Sequence, residues 1–115
     1  MANPIYDLAA YVPDAPAGSA EVARWAISRS VDFPTDFGAS NAVAGVAATA
    51  STVLTVRKNG SSVGTITFGA SGTVGAFSGA AWSVVADDVV TITNQATADA
   101  TLAQIGITLT GERPA

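Results

Sequence analysis

The feature that most constrains the fold is a series of short apolar and threonine-rich segments, separated by turns rich in glycine, proline and asparagine. Alternation of apolar and polar residues predicts strands at 22–33, 52–58, 63–68, 73–77, 81–85, 89–93 and 100–110. The helical patterns that βαβ units require do not lie between these segments. The sequence therefore predicts an all-β fold, an antiparallel β-sandwich or jelly roll of about seven to nine short strands.

The first predicted strand, 22–33, has the pattern of a half-buried strand. Polar residues occupy one side, and the apolar side carries Ala23, Trp25, Ile27, Val31 and Phe33. Arg29 falls on the apolar side, which predicts either a bulge or an arginine whose stem lies along the core. A helix over 19–27 is the alternative, because Ser19 and Glu21 resemble a helix start.

The last predicted strand, 100–110, shows the clearest alternation. One side carries Thr101, Ala103, Ile105, Ile107 and Leu109. Its length predicts a central or bridging strand. The small residues of 41–51 fit a helix, a strand or an extended link, and we expect an extended, closely packed segment.

The turn between 52–58 and 63–68 sets the register of a predicted hairpin. An odd number of loop residues places the apolar residues Leu54, Val56, Ile66 and Phe68 on one face. A two-residue loop would mix the faces. We therefore expect Lys58-Asn59-Gly60 to form a three-residue loop, with Gly60 at a left-handed bulge position.

Length and charge limit the classes of function. The 115 residues suffice for one domain, 1–115. The net charge is −4, and the five Lys and Arg residues form no basic stripe, which argues against a nucleic-acid partner. Only 12% of the residues are charged, about half the usual share. A surface so poor in charge suits contacts between subunits.

The sequence also predicts where the chain is made. Its N-terminal segment lacks the basic start and continuous apolar stretch of a secretory signal. The most apolar uncharged run, 39–56, is interrupted by Asn41 and Gly45 and falls short of a membrane span. We expect a soluble chain made in the cytoplasm, without membrane insertion.

Candidate chemistry is sparse. The chain has no histidine and no cysteine, which excludes the common nucleophilic triads and zinc sites. Asp87 and Asp88 are adjacent, so on a strand they would point to opposite faces, and we interpret them as turn residues. A hard-cation site that includes Asp99 is the alternative. The glycines of 69–75 lack the lysine and helix of a phosphate-binding loop. The sequence predicts no enzyme, no cofactor and no metal site.

The aromatic residues are candidates for the core or for a contact surface. We expect Trp25, Phe33, Phe68 and Phe77 to fill the core. Tyr11 and Trp82 are the candidates for contact with a ligand or a partner.

The closing segment and the hairpin turn also resemble a known module. The sequence ATADATLAQIGITLTGERP at 96–114 and the turn Lys58-Asn59-Gly60 are similar to a β-sandwich module of tail-fibre and other virion-surface proteins of tailed bacteriophages. In that module the closing strand reads Asp-Ala-Thr-Leu-Ala-x-Ile-x-Ile-x-Leu-x-Gly-x-Arg, which matches 99–113. The opening segment 5–34 is similar to its first strands. Where the module usually has Gly-Asp, this chain has Asp87-Asp88.

The resemblance implies a role on a virion surface. The module is commonly an end domain of a fibre, whereas this chain shows no shaft, so we expect a structural accessory protein: a capsid decoration or cement protein, a head spike or a small tail component. The resemblance implies a homotrimer that contacts other capsid or tail proteins. The alternative is a module that binds glycans of the host surface through Tyr11 or Trp82.

Overall fold

The computed structural model describes residues 5–113, which form ten strands and one short 3₁₀ turn, Thr35–Phe37. The strands are β1 (Ile5–Val12), β2 (Glu21–Ala26), β3 (Val31–Phe33), β4 (Asn41–Val46), β5 (Thr52–Lys58), β6 (Ser61–Phe68), β7 (Gly75–Ser78), β8 (Trp82–Val84), β9 (Val89–Asn94) and β10 (Ala103–Glu112). The all-β prediction is confirmed. Within these residues no helix is long and apolar enough to cross a bilayer.

Two antiparallel sheets pack against each other. Sheet A has the order β1-β10-β3-β8, with β4 also paired to β10, and sheet B has the order β2-β9-β5-β6-β7. The pairs are nested, since β1 pairs with β10, β2 with β9, β3 with β8 and β5 with β6. The chain is therefore one long hairpin folded across two sheets, which is the jelly-roll form of a β-sandwich. β10 lies inside sheet A, as its length predicts.

The predicted strand 22–33 is two strands in different sheets. β2 lies in sheet B and β3 in sheet A, and the chain crosses between them at 27–30. The alternation of apolar residues continues across the break because both strands face the same core, so a single strand was the wrong prediction. The helix over 19–27 is also wrong. Arg29 lies exposed in the crossing, neither at a bulge nor along the core.

The β5–β6 hairpin differs from its predicted form. Asn59 and Gly60 have φ angles of 50° and 89°, as in a two-residue type I′ turn, and Lys58 pairs with Ser61. The three-residue loop is therefore wrong. A bulge at Val63 restores the register, because Arg57 pairs with Ser62 but Val56 with Gly64. Leu54, Val56, Ile66 and Phe68 are all buried, as predicted.

The core lies between the two sheets and consists of branched aliphatic residues with a few aromatic ones. Phe33 and Phe68 are buried as predicted, whereas Trp25 and Phe77 are partly buried against the core. The 41–46 part of the predicted extended segment is β4. Its Ala42 and Ala44 are buried. Between β3 and β4 the chain leaves sheet A, and the buried ring of Phe37 packs close to Gly64.

Candidate contact surfaces

The outer face of sheet A carries a row of exposed apolar side chains. In strand register, Tyr11 of β1 lies opposite Gly106 of β10, Gly106 opposite Val43 of β4, and Val43 opposite Val74. Tyr11 is 63% exposed, Val43 53% and Val74 69%. These four residues, the apolar row, come together only through the pairing of distant segments.

The residues on both sides of the apolar row are uncharged. Ala9, Thr108 and Asn41 form the adjacent row on one side, again in register. On the other side the side chain of Gln104 lies against Gly45. A sheet surface with exposed large apolar side chains and uncharged neighbouring rows is typical of a protein–protein contact.

The opposite part of the same face is acidic. Glu112 of β10 lies directly opposite Asp32 of β3, and Asp32 lies opposite Ser83 of β8. From Gly106, six residues along β10 separate the apolar row from Glu112, which corresponds to about 20 Å. Sheet A therefore presents two chemically different patches on one face.

A pocket of about 360 Å³ opens between Asp32 and Glu112. We call it the acidic pocket. Its walls are mainly apolar and include Phe33, Pro34, Gly38, Ala39, Ala81, Thr110 and Gly111. It forms where the chain leaves sheet A between β3 and β4. Both carboxylates lie at the sheet surface and are exposed.

Trp82 lines a shallower depression that shares Asp32, Phe33 and Ala81 with the acidic pocket. Its ring stacks on Phe33 with centroids 4.2 Å apart, so one face of the indole is covered. The indole nitrogen Nε1 is buried and has no acceptor in the described part of the chain. Trp82 is thus half-buried beside a carboxylate.

Tyr11 lines a third depression with Asp14 and Glu21. It lies on β1 at one edge of sheet A, and Trp82 lies on β8 at the other edge. The structure therefore does not bring the two predicted contact residues together, and each belongs to a separate surface.

Asp99 holds two loops together at one end of the sandwich. Its Oδ1 accepts hydrogen bonds from the backbone N of Thr49 (2.9 Å), the hydroxyl of Thr49 (2.6 Å) and the backbone N of Ala50 (3.1 Å). Its Oδ2 accepts from Thr101 N and Leu102 N, each at 2.9 Å, and from the Thr101 hydroxyl. The Thr49 hydroxyl and these N–H groups lower the pKa of the Asp99 carboxyl well below its usual range. Six donors occupy both oxygens, an environment that favours a structural role over a cation site.

Asp88 acts in the turn before β9, as predicted from the sequence. Its Oδ2 accepts from Val85 N and its Oδ1 from the Asn59 side chain, each at 2.9 Å. These two hydrogen bonds lower the pKa of the Asp88 carboxyl, and the charge of Lys58 adds a smaller effect. Asp87 has a left-handed φ of 78° and is exposed. Across residues 5–113, no three acidic side chains are grouped closely enough to hold a metal ion.

Sequence reasoning missed the acidic pocket and the valines of the apolar row. Alternation alone could have placed Asp32 on the outer side of its strand. It could not have paired Asp32 with Glu112, 80 residues further along the chain. Val43 and Val74 likewise become neighbours only through an isolated antiparallel bridge between β4 and the residue before β7.

Comparison with known proteins identified no relative of this chain. No family model matches the chain, and no curated protein or solved structure is significantly similar to it. The fold and these surfaces are therefore the basis for the function proposed below.

Proposed function

We propose that this chain is a structural accessory protein on the virion surface of a tailed bacteriophage, acting through contacts with copies of itself and with capsid or tail proteins. The observation that carries the proposal is the apolar row on the outer face of sheet A, together with the uncharged residues directly beside it. Exposed apolar side chains on a flat sheet surface favour a protein neighbour over a soluble small molecule.

The resemblance to the phage module supports the proposal through residues that build the β-sandwich. The residues of the closing motif include Leu102, Ile105, Ile107 and Leu109, which are buried. Asp99, the first residue of that motif, joins the loops before β5 and β10. These residues build the sandwich. The virion setting is therefore what the resemblance implies, and the apolar row supports the contact with another protein.

The proposed mechanism is repeated weak attachment. A single contact of this kind gives modest affinity, and several linked contacts on one particle give much stronger overall attachment. The apolar row would lie against the shell or tail, and the outer face of sheet B, which is rich in threonine, would remain in contact with solvent.

The proposal predicts that a charge in the apolar row prevents incorporation into particles. Val74→Asp should reduce the number of copies per virion, measured by quantitative mass spectrometry, because a carboxylate would be buried in the contact. Ala76→Asp is the matched control, since Ala76 is also an exposed apolar residue but lies on β7 in sheet B, which would remain in contact with solvent. Equal incorporation of the two variants, or absence of the wild-type chain from virions, would refute the proposal. Hundreds of wild-type copies would indicate capsid decoration, and a few dozen a spike or tail component.

A second candidate function is recognition of host-surface glycans. The observation that favours it is the depression where Trp82 lies beside Asp32 and Ser83, because an aromatic ring with a neighbouring carboxylate suits a sugar. A glycan array with the wild-type protein and with Asp32→Asn tests it. Binding that Asp32→Asn abolishes supports this function, and no binding at high protein concentration excludes it.

A further inference from the structure

The acidic pocket has an anionic rim without an internal cation. Asp32 and Glu112 are directly opposite on adjacent strands, an arrangement that is unfavourable for like charges. Within residues 5–113, the ion pairs are Arg24 with Glu21 (3.0 Å) and Lys58 with Asp88 (3.9 Å). Neither carboxylate of the pocket takes part in them. The apolar walls and the two charges together match a side chain with an apolar stem and a cationic head.

Arg29 offers such a side chain at the same end of the molecule. It is exposed, and among the described residues it has no ion pair and no side-chain hydrogen bond. Its loop is anchored, because Ile27 N donates to Asp88 O at 2.9 Å and Asp87 N donates to Ile27 O at 2.8 Å. Arg29 therefore lies in a loop whose first residue, Ile27, is anchored, and it comes three residues before Asp32.

We propose that Arg29 of one copy occupies the acidic pocket of a second copy. The stem of the arginine would pack against Pro34 and Ala81, and its planar guanidinium would donate to Asp32 and Glu112 at once. This inference rests on the proposed function, for which it names a contact between copies. The proposed contact lies at the end of sheet A that is remote from the apolar row.

The arginine and the pocket are different surfaces, so the proposed contact is head-to-tail. Such contacts close into rings when the rotation between copies permits. The homotrimer that the resemblance implies is one such ring.

Sedimentation velocity across a range of protein concentrations tests the contact. Arg29→Ala should raise the dissociation constant of self-association by about tenfold or more, because the pocket charges would be left unpaired. Arg24→Ala is the matched control, since Arg24 is also exposed but pairs with Glu21, and it should leave self-association unchanged. Added salt should weaken the wild-type oligomer.

A charge exchange separates recognition from folding. The paired change Asp32→Asn with Glu112→Lys, and the single change Arg29→Glu, should each weaken self-association. The combination of all three changes should recover it, with melting curves confirming that each variant folds. A wild-type protein that stays monomeric, an Arg29→Ala variant that associates normally, or a combined variant without recovery would overturn the inference. Incorporation into virions is measured separately, so the inference can fail while the proposed function stands.

Discussion

The two ends of the sandwich use their polar side chains in different ways. At the Asp99 end, the loops 13–20, 47–51 and 95–102 are joined by side chains that are mostly buried or half-buried. Asn94 donates to the carbonyl oxygens of Pro16 (3.3 Å) and Ala17 (3.0 Å), and Gln95 accepts from Val53 N. At the opposite end, the Arg29 end, short turns at 59–60 and 85–88 close the strands, and the exposed carboxylates of Asp32 and Glu112 border the acidic pocket.

The comparison distinguishes carboxylates whose hydrogen bonds hold the fold together from carboxylates that remain free to bind a partner. The carboxylate of Asp99 has six donors, so its bonding capacity is used inside the molecule. The carboxylates of Asp32 and Glu112 have no protein donor in the described residues and face solvent beside an apolar pocket. We expect the first end to govern folding and the second to govern association.

The largest effect should follow from Asp99→Asn. The amide nitrogen would face backbone N–H donors, leaving buried groups without acceptors. We expect the melting temperature to fall by roughly 10 °C. Asp14→Asn, an exposed loop residue, is the control and should melt like the wild type. A small effect at Asp99 would remove the distinction between the two ends.

The free energy of unfolding at acid pH should also depend on Asp99. Because the pKa of Asp99 is lower in the folded state than in the unfolded chain, its contribution is complete above the unfolded pKa of about 3.9. That contribution is lost as the pH falls below this value toward the folded pKa. Urea unfolding at successive pH values should therefore show a flatter acid limb for Asp99→Asn than for the wild type. Parallel curves would contradict this role.

The next effect concerns the turn at the Arg29 end. Gly60 has a φ of 89°, which a side chain disfavours, so Gly60→Ala should lower the free energy of unfolding by about 1 kcal/mol. Gly69→Ala is the matched control, because Gly69 also has open space around it but lacks a left-handed φ. Chemical denaturation measures both. Equal stabilities would show that the turn tolerates a side chain.

A smaller effect of opposite sign is expected at Asp87. Its φ of 78° suits glycine better than aspartate, and its exposed side chain makes no hydrogen bond within residues 5–113. Asp87→Gly should raise the free energy of unfolding by about 0.5 kcal/mol in the same assay. A loss of stability would mean that the Asp87 side chain supports the turn.

The smallest effect should come from the acidic pocket. Glu112→Gln removes the repulsion from Asp32, so the monomer should gain a few tenths of a kcal/mol. Denaturation at a concentration below that of self-association measures it. A clear loss of stability would place Glu112 with Asp99 among the structural carboxylates.

Much of the fold was predictable because strand alternation is local. The bounds of β5 agree with the predicted segment, and the inward faces of β5, β6 and β10 agree with the predicted ones. The prediction was wrong where two different backbone geometries give the same pattern of buried residues. The register that places the apolar residues of β5 and β6 on one face can come from a three-residue loop or from a two-residue turn with a bulge. The alternation of apolar residues is the same in both cases and cannot distinguish them.

The candidate surfaces were less predictable. Tyr11 could be selected as an exposed aromatic residue, and the structure places it 63% exposed. Trp82 could be selected in the same way, but its stacking on Phe33 depends on the pairing of β3 with β8. The opposed charges of the acidic pocket had no local signal at all.

The sequence by itself determined an all-β sandwich, the inward faces of β5, β6 and β10 and the turn role of Asp88, because burial alternation and turn chemistry act over a few neighbouring residues. Only the tertiary structure decided which strands pair. That pairing creates the apolar row and the acidic pocket, and it brings the six hydrogen-bond donors to the Asp99 carboxylate. Those features depend on segments that are far apart in the chain, and their register is set by closing the whole sandwich around one core.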